Sequence, residues 1–128
     1  MKVLNGLLLA VGVAWAFAAS AHHSFATQYD IDAPVKLTGV VTRVEWTNPH
    51  ARFYIDVEDE NGVVQHWNLE LASPNVLRRN GWMRNSLSAG DTVTVEGSQA
   101  RDGSMMANAR TVTLKDGTQV FARPSVVE

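Results

Sequence analysis

Residues 51–71, ARFYIDVEDENGVVQHWNLEL, contain two segments in which apolar and polar residues alternate. A period of two is typical of a strand with one buried and one exposed face. Between the segments, Glu60-Asn61-Gly62 has the composition of a three-residue hairpin loop, in which Gly62 adopts the left-handed conformation. The residues predicted to face the core are Phe53, Ile55 and Val57 on the first strand and Trp67, Leu69 and Leu71 on the second.

A loop of this length fixes the register of the hairpin. Directly opposed side chains share a face of a sheet, so apolar residues must lie opposite apolar residues. The pattern therefore places Ile55 opposite Trp67 and Phe53 opposite Leu69 in the core. On the other face it predicts the pairs Arg52–Glu70, Tyr54–Asn68 and Asp56–His66. We expect the first pair to be a surface ion pair and the last a histidine–carboxylate pair on the sheet surface.

The segments around this hairpin predict the remaining elements. Residues 35–46 are rich in β-branched residues and predict a first strand, which can bend at Gly39. After the hairpin, SPNVLRRNG predicts a short helix that Ser73 caps, that has Pro74 in its first turn and that ends at Gly81. AGDTVTVEG and ANARTVTL predict a fourth and a fifth strand joined by RDGS, and QVFA predicts a short sixth strand.

This order of elements is that of an OB-fold, a small and partly open Greek-key barrel. A β-sandwich is the alternative, but it does not account for the single helix after the third strand. We predict an all-β, five- to six-stranded OB-like barrel over residues 35–123, preceded by an N-terminal segment, 22–34, and followed by a tail, 124–128. OB-folds bind ligands on the face of strands two and three, between the first-to-second and fourth-to-fifth loops.

Residues 1–21 have the pattern of a secretory signal peptide. Lys2 precedes an apolar stretch, and Ala19-Ser20-Ala21 offers the small residues at which a signal peptidase cleaves. A retained anchor is the alternative, but a membrane span needs roughly 18 to 20 apolar residues, and Asn5 and two glycines interrupt this stretch. We expect export to the periplasm, cleavage after Ala21 and a mature chain that does not span the membrane.

Composition excludes several classes of site. The chain has no cysteine and therefore no disulfide, thiolate metal site or thiol nucleophile. Its net charge is −2 and its basic residues are scattered, which argues against nucleic acid as the main partner, because such binders need a basic surface. It also lacks a G-x-S-x-G nucleophile motif and a Gly-rich phosphate loop. We therefore expect a protein that is not an enzyme.

The segments HHSF, GVVTRVEWTNPH, ASPNVLRRNGW and GDTVTVEG together resemble domain of unknown function 6152, a family of small exported proteobacterial proteins. The similarity extends over essentially the whole mature chain. The resemblance implies export and a compact β-rich domain. It implies no established activity, and it supplies no catalytic or binding residues to carry over.

The histidines provide a candidate metal site. Cleavage after Ala21 makes His22 the first residue, and its α-amine and ring Nδ1 then form a chelate that resembles a histidine brace. Nitrogen ligands in a near-planar set favour Cu(II). His23 offers a second mode through the amine, a backbone amide and its ring, and His50 in the first-to-second loop is the expected third ligand. The alternative is that His22 and His23 are a polar spacer and that His50 bonds nearby backbone.

The candidate ligand groove lies on the predicted face of strands two and three. Met105 and Met106 belong to the fourth-to-fifth loop and could approach His50 with thioethers that suit Cu(I), although filling core and rim is the alternative. Trp82 is either a core residue, as expected for Trp46 and Trp67, or the floor of the groove. The groove candidates are Tyr54, Asn68, Trp82, Met105 and Met106.

Two functions are consistent with these patterns. The first is a non-enzymatic periplasmic binding module for a small molecule, peptide or glycan. The alternative is a copper-binding or copper-handling protein that uses the amine and ring of His22 together with His50.

Overall fold

A computed structural model describes residues 25–121 of the chain. The predicted signal peptide, His22, His23 and the C-terminal tail lie outside these residues. Residues 25–28 are helical. The elements that follow are β1 (Tyr29–Glu45), β2 (Arg52–Glu58), β3 (Val64–Glu70), α1 (Pro74–Arg79), β4 (Thr92–Ala100), β5 (Met106–Leu114) and β6 (Gln119–Phe121).

The strands form one sheet in the order β3-β2-β1-β4-β5-β6. β3 also pairs with β5, in parallel, and this pairing closes the sheet into a barrel. A helix lies between the third and fourth strands, as the sequence predicts. The all-β barrel with this order of elements is therefore confirmed.

Strand β1 is long because it pairs with two partners in succession. Its residues 34–40 pair with β4, and its residues 40–45 pair with β2. Gly39 lies near the change of partner, where a side-chain carbon would be 2.4 Å from the carbonyl oxygen of Asp56. The strand begins at Tyr29 rather than at the predicted Val35, because Tyr29 pairs with Ala100 at the far end of β4.

The predicted hairpin and helix are both confirmed. Ile55 pairs with Trp67 and Phe53 with Leu69, and Gly62 in the loop has a φ of 77°. The polar pairs on the other face also have the predicted register. The Ser73 hydroxyl accepts a hydrogen bond from the backbone N–H of Val76, and the helix is followed by a glycine with positive φ.

The core fills the barrel and extends beneath α1. Its largest fully buried side chains are Trp82, Phe53, Ile55, Leu69, Leu71 and Leu77, together with Val41, Val93, Val95 and Val112. Trp67 is also buried, and Trp46 packs against the core while half-buried. Burial of these side chains supplies the main stabilisation, since the chain has no disulfide to constrain it.

Candidate functional site

A row of side chains crosses four strands on the outer face of the barrel. Arg43 of β1 pairs with Tyr54 of β2, Tyr54 with Asn68 of β3, and Asn68 with Met106 of β5. Paired residues share a face, and the inward neighbours in β5, Ala107 and Ala109, belong to the core. We call Arg43, Tyr54, Asn68 and Met106 the first row. It brings together three of the five predicted groove residues.

A second row lies beside the first and becomes more deeply buried from β1 to β5. Glu45 pairs with Arg52, Arg52 with Glu70, and Glu70 with Asn108. The exposed fraction of the side chain falls from 36% at Glu45 to 27% at Arg52 and 6% at Glu70. Asn108 is buried, and its Nδ2 has no hydrogen-bond partner. We call Glu45, Arg52, Glu70 and Asn108 the second row.

The burial of Glu70 corrects the prediction that Arg52 and Glu70 form a surface ion pair. Arg52 Nη2 lies 2.6 Å from Glu70 Oε2, as the register implies, but the carboxylate is largely removed from water. Tyr29 explains the difference: its hydroxyl donates a hydrogen bond of 2.8 Å to the same Oε2. The hairpin alone leaves this face open, and the start of β1 covers its deep end.

Tyr29 is itself buried, with 1% of its surface exposed, and its ring contacts that of Phe25 at a centroid distance of 5.5 Å. Burial, and then the negative charge of Glu70, raise the pKa of the Tyr29 hydroxyl well above its ordinary value. The hydroxyl therefore remains protonated and donates to Glu70. The sequence reasoning missed Tyr29 because it lies before the predicted first strand, although the alternation of Tyr29, Ile31 and Ala33 with two aspartates was a signal that could have found it.

Two hydrogen bonds and an ion pair connect the two rows, and a cation–π contact lies within the first row. Arg52 Nη1 donates to Asn68 Oδ1 at 3.2 Å, and the Tyr54 hydroxyl donates to Glu45 Oε2 at 3.3 Å. The Arg43 guanidinium lies 4.2 Å from the centre of the Tyr54 ring and 3.0 Å from Glu45. These contacts fix the positions of the polar side chains on the face.

A further polar pair continues this outer face along the hairpin. His66 Nδ1 lies 2.6 Å from Asp56 Oδ1, as the register predicts. The His66 side chain is 81% exposed and that of Asp56 is 38% exposed. The pair is therefore open to water, and the prediction of a histidine–carboxylate pair on the sheet surface is confirmed.

The remaining groove candidates lie in two different environments. The backbone carbonyl of Met105 accepts a hydrogen bond from the N–H of Asn68, and Met105 is 45% exposed. Trp82 is 1% exposed and belongs to the core. Of the two interpretations of Trp82, the structure shows the core residue, and its ring offers no surface to a ligand.

His50 lies in the loop between β1 and β2, at the other end of the face. Its neighbour Ala51 is hydrogen-bonded to the backbone of Leu71 and Ala72, whereas Met106 pairs with Asn68. Asn68 and Ala72 are about four positions apart, which at about 3.3 Å per residue corresponds to roughly 13 Å along the chain. The register therefore does not place Met105 or Met106 beside His50.

Only one nitrogen of the His50 ring could serve as a metal ligand on this surface. Its Nδ1 is buried without a hydrogen-bond partner, which leaves Nε2. Nδ1 therefore makes no hydrogen bond to nearby backbone. Within residues 25–121, no group of three or more His, Asp or Glu side chains is arranged to hold a metal ion. His22 and His23 lie outside this range, so the copper site remains a prediction.

A shallow cleft of about 400 Å³ lies between the turn before β4 and the turn after β5, and no residue of either row lines it. Its two carboxylates are occupied by the turns themselves: Asp91 accepts the N–H of Ser88, and Asp116 accepts that of Thr118. The bond from Thr118 also holds the pKa of Asp116 below its ordinary value. The residues that line the cleft are Gly90, Asp91, Thr92, Leu114, Lys115 and Asp116.

Comparison with solved structures identifies the fold. The mitochondrial single-stranded DNA binding protein from S. cerevisiae is similar to this chain with a TM-score of 0.52 and 12% sequence identity. The similarity covers 65% of this chain and 93% of the other. At this identity the likeness shows the fold alone, and it confirms the predicted OB-like barrel.

Comparison of sequences gives the family. No curated protein matches the sequence. Between residues 25 and 121 the structure contains no helix whose length and apolar character would let it cross a membrane. The model of a family of unknown function, DUF6152, matches residues 10–109, as the four sequence motifs predict. The chain is therefore a member of the DUF6152 family.

Proposed function

We propose that this protein is a non-enzymatic binding module of the periplasm, and that its ligand occupies the first row and the exposed end of the second. The observation that carries the proposal is the continuous row Arg43–Tyr54–Asn68–Met106 on the outer face. This is the face of strands two and three on which OB-folds bind ligands.

The hydrogen-bonding groups of this face are held in place before any ligand arrives. Asn68 Oδ1 accepts from Arg52, so the amide N–H groups of Asn68 remain as donors. The Tyr54 hydroxyl donates to Glu45, so its oxygen remains as an acceptor. Fixing these side chains in advance lowers the entropic cost of binding. The face is therefore suited to recognition of a polar ligand.

The same contacts favour binding over catalysis. Asp56 and His66 are the acid–base pair closest to the first row along the hairpin, and the His66 side chain is 81% exposed. An open surface leaves water in contact with reacting groups, whereas acid–base chemistry is promoted in sites that exclude it. Arg43, Arg52 and Glu70 are each occupied in ion pairs.

Export is supported by the sequence of residues 1–21 and by the resemblance on which the family was predicted. Mass spectrometry of protein recovered from the periplasm tests it, with His22 expected as the first residue. Copper handling through His22, His23 and His50 is the alternative function, and it rests on the sequence of the N-terminal segment.

Ligand-observed NMR with a mixed library of neutral oligosaccharides, short peptides and polar metabolites tests the binding function. We expect at least one compound to bind the wild-type protein and to lose about tenfold or more in affinity with Asn68→Ala. Lys36→Ala is the matched control, because Lys36 is exposed and pairs with Glu96 on β4. The proposal fails if no compound binds, or if every binder is insensitive to Asn68→Ala.

A further inference from the structure

We infer that the ligand of the first row is a neutral carbohydrate. This inference rests on the proposed binding function and names the class of ligand. It follows from three observations: the charges of the two rows are paired with one another, Asn68 and Tyr54 keep hydrogen-bonding capacity for a ligand, and apolar atoms lie beside them.

The charged groups of the two rows neutralise one another. Arg43 lies 3.0 Å from Glu45, and Arg52 lies 2.6 Å from Glu70. An anionic ligand would have to displace a carboxylate from its guanidinium, and a cation would have to displace a guanidinium. Nucleic acid binding depends on positive charge that is not already neutralised. The face therefore offers little electrostatic attraction to a ligand with net charge.

A hydroxyl group can use this face without disturbing its charge balance. Each hydroxyl both donates and accepts, so it can accept from the Asn68 amide and donate to the Tyr54 or Glu45 oxygen. Hydrogen bonds in which one partner is ionised are roughly twice as strong as neutral ones. Paired charges on a fixed surface thus suit a ligand that presents several hydroxyls.

Apolar atoms lie beside these polar groups. Met106 belongs to the first row, and Met105, whose backbone carbonyl accepts from the N–H of Asn68, is 45% exposed. Thioethers and methylenes can pack against the C–H faces of a sugar ring while the hydroxyls bind Asn68 and Tyr54. With neighbouring strands about 4.8 Å apart, a row across four strands spans roughly 14 Å. This length suits an oligosaccharide better than a single sugar.

Isothermal titration calorimetry with defined probes tests the inference. The neutral probes are maltotriose, cellotriose and the trimer of N-acetylglucosamine. The charged probes are an oligogalacturonate and a single-stranded oligothymidylate. We expect at least one neutral probe to bind, with an affinity that changes less than about twofold when salt is raised, since salt weakens interactions between exposed charges.

Asn68→Asp distinguishes specific recognition from general adhesion. It keeps the shape of the side chain and replaces the amide donors with a carboxylate oxygen, so we expect at least tenfold weaker binding of the neutral probe. Lys36→Ala should bind like wild type. Circular dichroism and urea unfolding establish that each variant is folded.

The outcomes separate this inference from the function on which it rests. Equal binding of a neutral probe by wild type and Asn68→Asp would overturn the carbohydrate inference. Binding of the charged probes, or of library peptides, with no neutral probe bound would also overturn it, but a binder sensitive to Asn68→Ala would leave the binding function standing. If no compound of any class binds, both fail.

Discussion

Glu70 is a largely buried carboxylate that receives hydrogen bonds from two distant parts of the chain. Tyr29 donates at 2.8 Å and Arg52 at 2.6 Å, both to Oε2. The contact ties the start of β1 to the β3–β5 junction, where Glu70 pairs with Asn108. Its loss would leave a phenol and a partly buried guanidinium without an anionic partner.

We predict that Glu70→Gln lowers the free energy of unfolding by about 1.5 to 3 kcal/mol, the range for a hydrogen bond to a charged group. Tyr29→Phe, which removes only the hydroxyl, should cost about 1 to 2 kcal/mol. Urea unfolding of both variants measures the difference. The costs of the two changes should also be less than additive, because they share one contact. Full additivity would contradict the assigned interaction.

Tyr29 should also make stability fall at high pH. Its pKa is raised in the folded state by burial and by Glu70, whereas in the unfolded chain it is about 10. Above that value the unfolded chain loses the proton and the folded chain keeps it, so stability is complete below pH ~10 and falls as pH rises further. Tyr29→Phe should flatten this decline in urea titrations between about pH 9 and 11. An unchanged decline would show that other groups cause it.

At the scale of the element, the β2–β3 hairpin determines which residues lie on the outer face of the barrel. Trp67 is 6% exposed and lies opposite Ile55 in the core, whereas Tyr54 is half-buried on the outer face. Each side chain of the hairpin lies on a fixed face of the sheet, because a shift of the pairing by one residue would move every side chain to the opposite face.

Trp67→Ala should therefore cost about 3 to 5 kcal/mol, as for a large aromatic side chain truncated in a core. Tyr54→Ala should cost less than half as much, because it removes an outer-face side chain and leaves the core packed. Urea titrations of the two variants provide the comparison. Equal costs would be inconsistent with the division into core and outer faces.

Local patterns explain why this hairpin could be predicted and its surroundings could not. The loop containing Gly62 fixes the pairing within a short stretch of sequence, together with the alternation of apolar and polar residues in the two strands. The burial of Glu70 depends on Tyr29, 41 positions away, and no periodicity encodes that contact. The separation of His50 from Met105 and Met106 likewise depends on how β3 pairs with β5. The fold and the hairpin face follow from sequence, but the covered end of the site does not.

For the molecule as a whole, closure of the barrel sets the extent of the candidate site. The β3–β5 pairing adds Met106 to the row that the hairpin begins, and Tyr29 limits the same face at Glu70. The site is therefore an open row bounded at its deep end by the start of β1.

The N-terminus provides an independent test of the copper alternative. Protein that begins at His22 should bind one Cu(II) with a nitrogen-rich paramagnetic resonance spectrum, and binding should weaken below about pH 6 because protons compete for the nitrogens. His22→Ala should abolish the site, and His50→Ala should weaken it. His66→Ala should have no effect, since His66 pairs with Asp56.

A tag placed before His22 converts the amine to an amide and should act like His22→Ala. If tagged and untagged protein bind copper equally, the adjacent histidines are a spacer, and the copper alternative is wrong. This result would leave the binding function of the outer face unaffected, because the first row contains no histidine.

The binding function is tested most directly by mapping amide chemical shifts in isotope-labelled protein during titration with a library compound that binds. We predict that the largest shifts cluster at Arg43, Tyr54, Asn68 and Met106, on four strands that only the folded barrel brings together. Shifts centred instead on the cleft at residues 90–92 and 114–116 would place the ligand elsewhere and contradict the proposed function.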